Sequence, residues 1–137
     1  MLEYLPEFRT LGDLDPDTVE SLAPRLFETL RTIHDAGLAH GDLRAENVLV
    51  RDGDLYVIDA TNVSEAGRES ARSYDLASAL AALEPLIGAQ GAVNAALDSY
   101  STDEILAARR FLDFVAIRPD HEFDATALTG ELEKRAA

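Results

Sequence analysis

Asp42, Asn47 and Asp59 are the residues from which a reaction could be built. Asp42 and Asn47 stand five positions apart in the polar stretch HGDLRAEN, residues 40–47, and Asp59 closes a short apolar run further on. Two carboxylates and a carboxamide are hard oxygen donors, the kind of set that holds Mg²⁺ against the phosphates of ATP. Transfer of a phosphoryl group also needs a carboxylate to orient the attacking hydroxyl and receive its proton. Asp42 suits that role, and Asn47 with Asp59 suits the metal. Plainer readings stand beside these: Asp42 as a loop cap, Asn47 and Asp59 as Asx turns at strand ends.

The elements around these residues supply a reason for their spacing. Val48–Leu49–Val50 is β-branched and short, Asp52–Gly53 is a hairpin-turn signal, and Leu55 to Ile58 reads as the returning strand. Such a hairpin carries Asn47 and Asp59 to one end. Before it, Asp15–Pro16–Asp17 opens a helix whose Val19, Leu22, Leu26, Leu30 and Ile33 recur on one stripe with Ala23 and Phe27, and Gly37 ends it. Pro24 either kinks this helix or marks the start of its regular part. His34 reads as a helix C-terminal histidine favoured by the dipole. Residues 60–70 are small and polar and read as loop. Tyr74 to Leu86 reads as a buried alanine–leucine helix closed by Pro85 and Gly88, with further helices at Gly91–Ser99, Thr102–Ile117 and Asp124–Arg135. Tyr56 and Tyr74 read as packing residues. The fold class expected is α+β, mostly α: a helical bundle carrying one small hairpin.

HGDLRAENVLV resembles the catalytic loop of the protein-kinase-like superfamily, with His40, Asp42, Leu43 and Asn47 in matching places. Gly41, where protein kinases carry arginine, is similar to the aminoglycoside phosphotransferases. Asp59–Ala60–Thr61 stands in the D-F-G place with only the aspartate kept, as in the RIO-type and aminoglycoside-type branches. The resemblance implies Asp42 as catalytic base, Asn47 and Asp59 as Mg²⁺ ligands and His40 as structural support. It implies Arg44 as a contact to the transferred phosphate, with a surface ion pair to Glu46 as the alternative. Leu2–Glu3–Tyr4–Leu5 is similar to the hinge between kinase lobes, so the backbone at Glu3 and Leu5 would receive the adenine of ATP. Asp75 matches the aspartate that opens the buried large-lobe helix and holds the loop. The short interval from Asp59 to Asp75 has no room for a full activation segment and favours the RIO-type or aminoglycoside-type branches.

The implied division is a hinge-like segment at 1–6 and a kinase-like C-terminal lobe at 7–137. The sequence has no glycine-rich phosphate loop, and its one lysine is Lys134. The upper half of a kinase site has no counterpart among these residues. The expectation is a piece of a longer kinase, with a non-catalytic scaffold as the alternative, and self-association through the surface that a small lobe would cover.

Composition narrows the setting. Asp and Glu total 26 against 12 Lys and Arg, a formal net charge of −14 spread along the chain. That pattern suits a halophilic protein, whose self-repulsion is screened by salt. It disfavours direct nucleic-acid binding, which needs a basic stripe. With no cysteine, a disulfide framework and a thiolate metal site are both excluded. No leader-like segment or membrane-length apolar run is apparent, so a cytoplasmic protein away from membranes is expected, with the acceptor substrate left open.

Overall fold

The computed structural model describes residues 9–39, 48–51, 54–57, 61–62, 68–112, 115 and 123–136. Its first long element, α1 (Pro16–Asp35), begins where the side-chain chemistry dictates. The Asp15 carboxylate accepts the Thr18 N–H at 3.4 Å and the Thr18 hydroxyl at 2.6 Å, while Pro16 presets the first helical φ. The Thr18 hydroxyl bond is the main reason the Asp15 carboxyl is held below its ordinary value. Val19, Ala23, Leu26, Phe27, Leu30 and His34 form the buried stripe. Pro24 lies inside this one continuous helix, where its ring deletes a single backbone bond. At the other end Gly37 takes φ 82°, a left-handed conformation that glycine adopts without steric cost.

The hairpin forms from β3 (Val48–Arg51) and β4 (Asp54–Val57), paired antiparallel with Val48 opposite Val57 and Arg51 opposite Asp54. Two additions were not evident from periodicity. Strand β1 (Arg9–Thr10) joins the free edge of β3, giving the order β1-β3-β4. Strand β2 (Leu38–Ala39) pairs with β5 (Thr61–Asn62) inside the stretch expected to be loop. Side chains alternate across the hairpin: Val48 and Val50 are buried, whereas Tyr56 is exposed. Tyr56 therefore points outward rather than into the packing assigned to it, while Tyr74 does pack, edge-on against Phe111 at 6.2 Å.

Helix α2 (Arg68–Leu97) is the axle of the molecule. It starts earlier than its alanine–leucine run suggests and is broken, as Gly88 foretells, by φ 85° and ψ 162° at that residue. Leu76, Ala77, Ser78, Ala79, Leu80, Ala81 and Leu83 are all buried, so nearly every face of the first half meets protein. Its many alanines let α1, α3 (Thr102–Arg109) and α4 (Ala125–Ala136) pack close against it. Each fully buried leucine in this core, among them Leu26, Leu30, Leu80 and Leu83, contributes on the order of 2 kcal/mol relative to exposure.

Two expectations are corrected here. By length and composition the stretch Ala71–Leu97 would suffice to cross a membrane. Half of its most apolar window is buried in the protein, and the helix is interrupted at Gly88, as befits a core helix. The helix expected over Thr102–Ile117 is interrupted: α3 ends at Arg109, where the Phe111 N–H turns back to the Ala108 carbonyl at 2.9 Å, and helix resumes at Leu112 and Val115, whose N–H bonds the Phe111 carbonyl at 3.0 Å. Its start is as expected: Ser101 and Glu104 form a reciprocal capping box. Asp124 caps α4 by accepting the Ala127 N–H at 2.9 Å, and its own N–H is held by Glu84 at 2.8 Å.

Candidate functional site

Most of the residues singled out by the sequence lie outside the described residues: Glu3, Leu5, His40, Asp42, Arg44, Asn47 and Asp59. The structure describes the elements on either side of them. Because Val48 faces Val57, the ends of β3 and β4 from which the chain continues to Asn47 and to Asp59 lie side by side. The other approach is α1 followed by β2, which lead to residue 40. β2 packs on both α1 and α2. Among the described residues no three His, Asp or Glu side chains are grouped to hold a metal. The hard oxygens of Asn47 and Asp59 are a donor set that fits Mg²⁺.

Asp75 is described, and its setting is unusual. It lies on α2 with no solvent exposure, and its Oδ2 sits 3.1 Å from Nε2 of His34 near the end of α1. His34 does lie in the last turn of α1, as read from the sequence, but it is only 1% exposed and is held by buried side-chain partners in addition to the helix dipole. Its other ring nitrogen, Nδ1, is 3.0 Å from the Tyr100 hydroxyl. A carboxylate only accepts, so Nε2 carries the proton, and in the neutral ring Nδ1 accepts the Tyr100 O–H. The signal for His34 was present in the sequence. It continues the buried stripe one turn beyond Leu30, and a polar group on such a stripe requires a buried partner.

Two arginines enclose this chain of bonds. Arg72 donates from Nη2 to the His34 carbonyl at 3.0 Å, the same oxygen that accepts the Gly37 N–H at 3.0 Å. Its Nε is buried without a hydrogen-bond partner among the described residues. Arg31 places its guanidinium 5.4 Å from the centre of the Tyr100 ring and donates from Nη1 to the Ser99 carbonyl at 2.8 Å and to Glu104 at 3.2 Å. Burial pushes the Tyr100 phenol well above its ordinary value. At Glu104, partial burial opposes ionisation. The Ser101 N–H, the Arg31 charge and the Ser101 hydroxyl outweigh it and hold the carboxyl below its ordinary value. A cleft of about 260 Å³ opens beside these groups, lined by Arg31, Arg72, Tyr100, Asp103 and Glu104 among others.

A mostly helical bundle with a small antiparallel sheet and a buried aspartate on the central helix define a kinase-like C-terminal lobe. The RIO domain family model matches residues 4–75, more than half of the chain, and the protein belongs to that family. A RIO-type serine/threonine-protein kinase Rio1 from Haloferax volcanii is 37% identical over 51 residues, covering 37% of this chain and 18% of the relative. A probable bifunctional tRNA threonylcarbamoyladenosine biosynthesis protein from Methanothermobacter thermautotrophicus is 42% identical over 45 residues, covering 31% of this chain and 8% of the relative. The chain thus spans under a fifth of the length of these curated relatives. No solved structure matches it.

Proposed function

We propose that the chain is the catalytic, Mg²⁺-binding lobe of an ATP-dependent phosphotransferase of the RIO type, moving the terminal phosphoryl group of ATP to a hydroxyl of a protein or small molecule in the cytoplasm. The observation that carries this reading is the extent of the family match, which takes in Asp42, Arg44, Asn47 and Asp59 and ends on the buried Asp75. Asp42 orients the acceptor hydroxyl and takes its proton. Arg44 meets the phosphoryl group in flight, and Asn47 with Asp59 holds the metal. Bound Mg²⁺ supplies the positive charge that offsets the phosphates. The backbone at Glu3 and Leu5 receives the adenine, and His40 and Asp75 hold the loop in place. The small and uncharged Gly41 and the brief Asp59–Asp75 interval support a RIO-type or small-molecule-kinase arrangement over a regulated protein kinase.

The test is Mg²⁺–ATP titration and phosphate transfer in high salt by a full-length form that joins this lobe to a small lobe, since the lobe alone is expected to be inactive, with Asp42→Asn beside the wild type. Asp42→Asn is expected to lower transfer by about 10²–10⁴-fold while nucleotide binding is kept. Transfer by Asp42→Asn at the wild-type rate sinks the assignment. A wild-type protein that never binds Mg²⁺–ATP makes the chain a scaffold instead.

A further inference from the structure

The hydrogen-bonded series Tyr100–His34–Asp75 spans three elements that are far apart in sequence: the turn after α2, the end of α1 and the first half of α2. All three side chains are buried, at 6%, 1% and 0% exposure, so water cannot substitute for any member. His34 also lies in the last turn of α1, one residue before its end. Its carbonyl is clamped by both Gly37 N–H and Arg72, and β2 follows directly, leading to residues 40–47. The position of His34 therefore sets where that stretch departs from the core.

We infer that Tyr100 is a positioning residue for β2, from which the chain continues to residues 40–47: its hydroxyl donates to Nδ1 and holds the His34 ring in the orientation that lets Nε2–H bind Asp75, anchoring the exit of α1. This deepens the phosphotransferase reading, on which its bearing on catalysis rests. Tyr100 suits the task because its own ring is held from two sides. The Phe27 ring meets it edge-on at 6.4 Å, and the Arg31 guanidinium lies over its face. Without the Tyr100 hydroxyl, Nδ1 has no donor among the described residues, and the ring is held through Asp75 alone. Arg31 ties this same ring to Glu104 on α3, so the cleft beside Tyr100 shares a wall with the anchor.

The experiment compares the wild-type chain with Tyr100→Phe, which removes one oxygen and keeps the packed ring. Ile105→Val, at a buried site on α3 that is not a member of the hydrogen-bonded series, controls for general loosening. Amide exchange is followed across residues 38–47 relative to the core of α2, and ring nitrogen signals report the His34 tautomer. Tyr100→Phe is expected to accelerate exchange at 38–47 by about tenfold relative to the α2 core and to shift the Nδ1 signal, which loses its donor, while Nε2 keeps its proton toward Asp75. Ile105→Val should do neither. Equal exchange at 38–47 in Tyr100→Phe and Ile105→Val overturns the inference, as does a mixed tautomer in the wild type. Neither readout needs nucleotide or turnover. A full-length form that fails to transfer phosphate would therefore refute the phosphotransferase reading while leaving these readouts to judge the anchor.

Discussion

Asp75→Ala should be among the most damaging single substitutions in this chain. The carboxylate and the His34 ring meet at 3.1 Å with 0% and 1% exposure, so their loss is not cushioned by solvent. Truncation leaves the His34 N–H without an acceptor in the core, at about 1–3 kcal/mol. The vacated volume adds a cavity, and breaking a buried pair from one side costs about 3–5 kcal/mol in all. For a chain of this size that is a fall in Tm of roughly 10–20 °C. Asp75 has further interactions besides His34, so the single variant overstates the pair alone. The cycle of Asp75→Ala, His34→Ala and the double variant isolates it, with a coupling of about 1–3 kcal/mol by urea unfolding. A coupling within about 0.5 kcal/mol of zero, or an Asp75→Ala protein melting within a few degrees of wild type, would refute the claim that this contact holds α1 to α2.

Three other outcomes are expected. Gly88→Ala should destabilise by about 1–3 kcal/mol although nothing stands within 4 Å of the added carbon, because φ 85° with ψ 162° is a glycine conformation; unchanged denaturant stability would exclude backbone strain there. Tyr100 is raised in the folded state, so its contribution to stability is complete below the ordinary value of 10.0 and is lost as pH rises past it. Tyr100→Phe should accordingly flatten the alkaline side of a Tm-versus-pH curve, and an alkaline limb as steep as wild type would count against it. With a net charge of −14, the fold should lose stability on dialysis from high to low salt, and a melting temperature that does not move would remove the halophilic reading.

Local chemistry made much of this architecture legible. Asp15, Pro16 and Gly37 bracketed α1 within a residue, Asp52–Gly53 marked the hairpin turn, and Gly88 marked the break in α2. Each of these signals acts over one turn or less. The two-residue strands β1 and β5 were hidden because so short a run has no period to read, and they form only when β3 and β2 offer an edge. The role of His34 was hidden because its partners, Asp75 and Tyr100, lie 41 and 66 positions away. The motif residues of the candidate site were legible as types and spacing alone, since Asp42, Asn47 and Asp59 fall outside the described residues.

The break at Gly88 divides the labour of α2. The half before it carries Asp75 and ends the stretch shared with the RIO family; the half after it, with α3 and α4, lies beyond that match. A helix interrupted by a left-handed residue does not carry axial register across the interruption, so a change in length or packing beyond Gly88 need not shift Asp75. Two described side chains from the distal side reach back to this region: Tyr100 bonds His34, and Phe111 meets the ring of Tyr74, the neighbour of Asp75, so such changes would be felt through them.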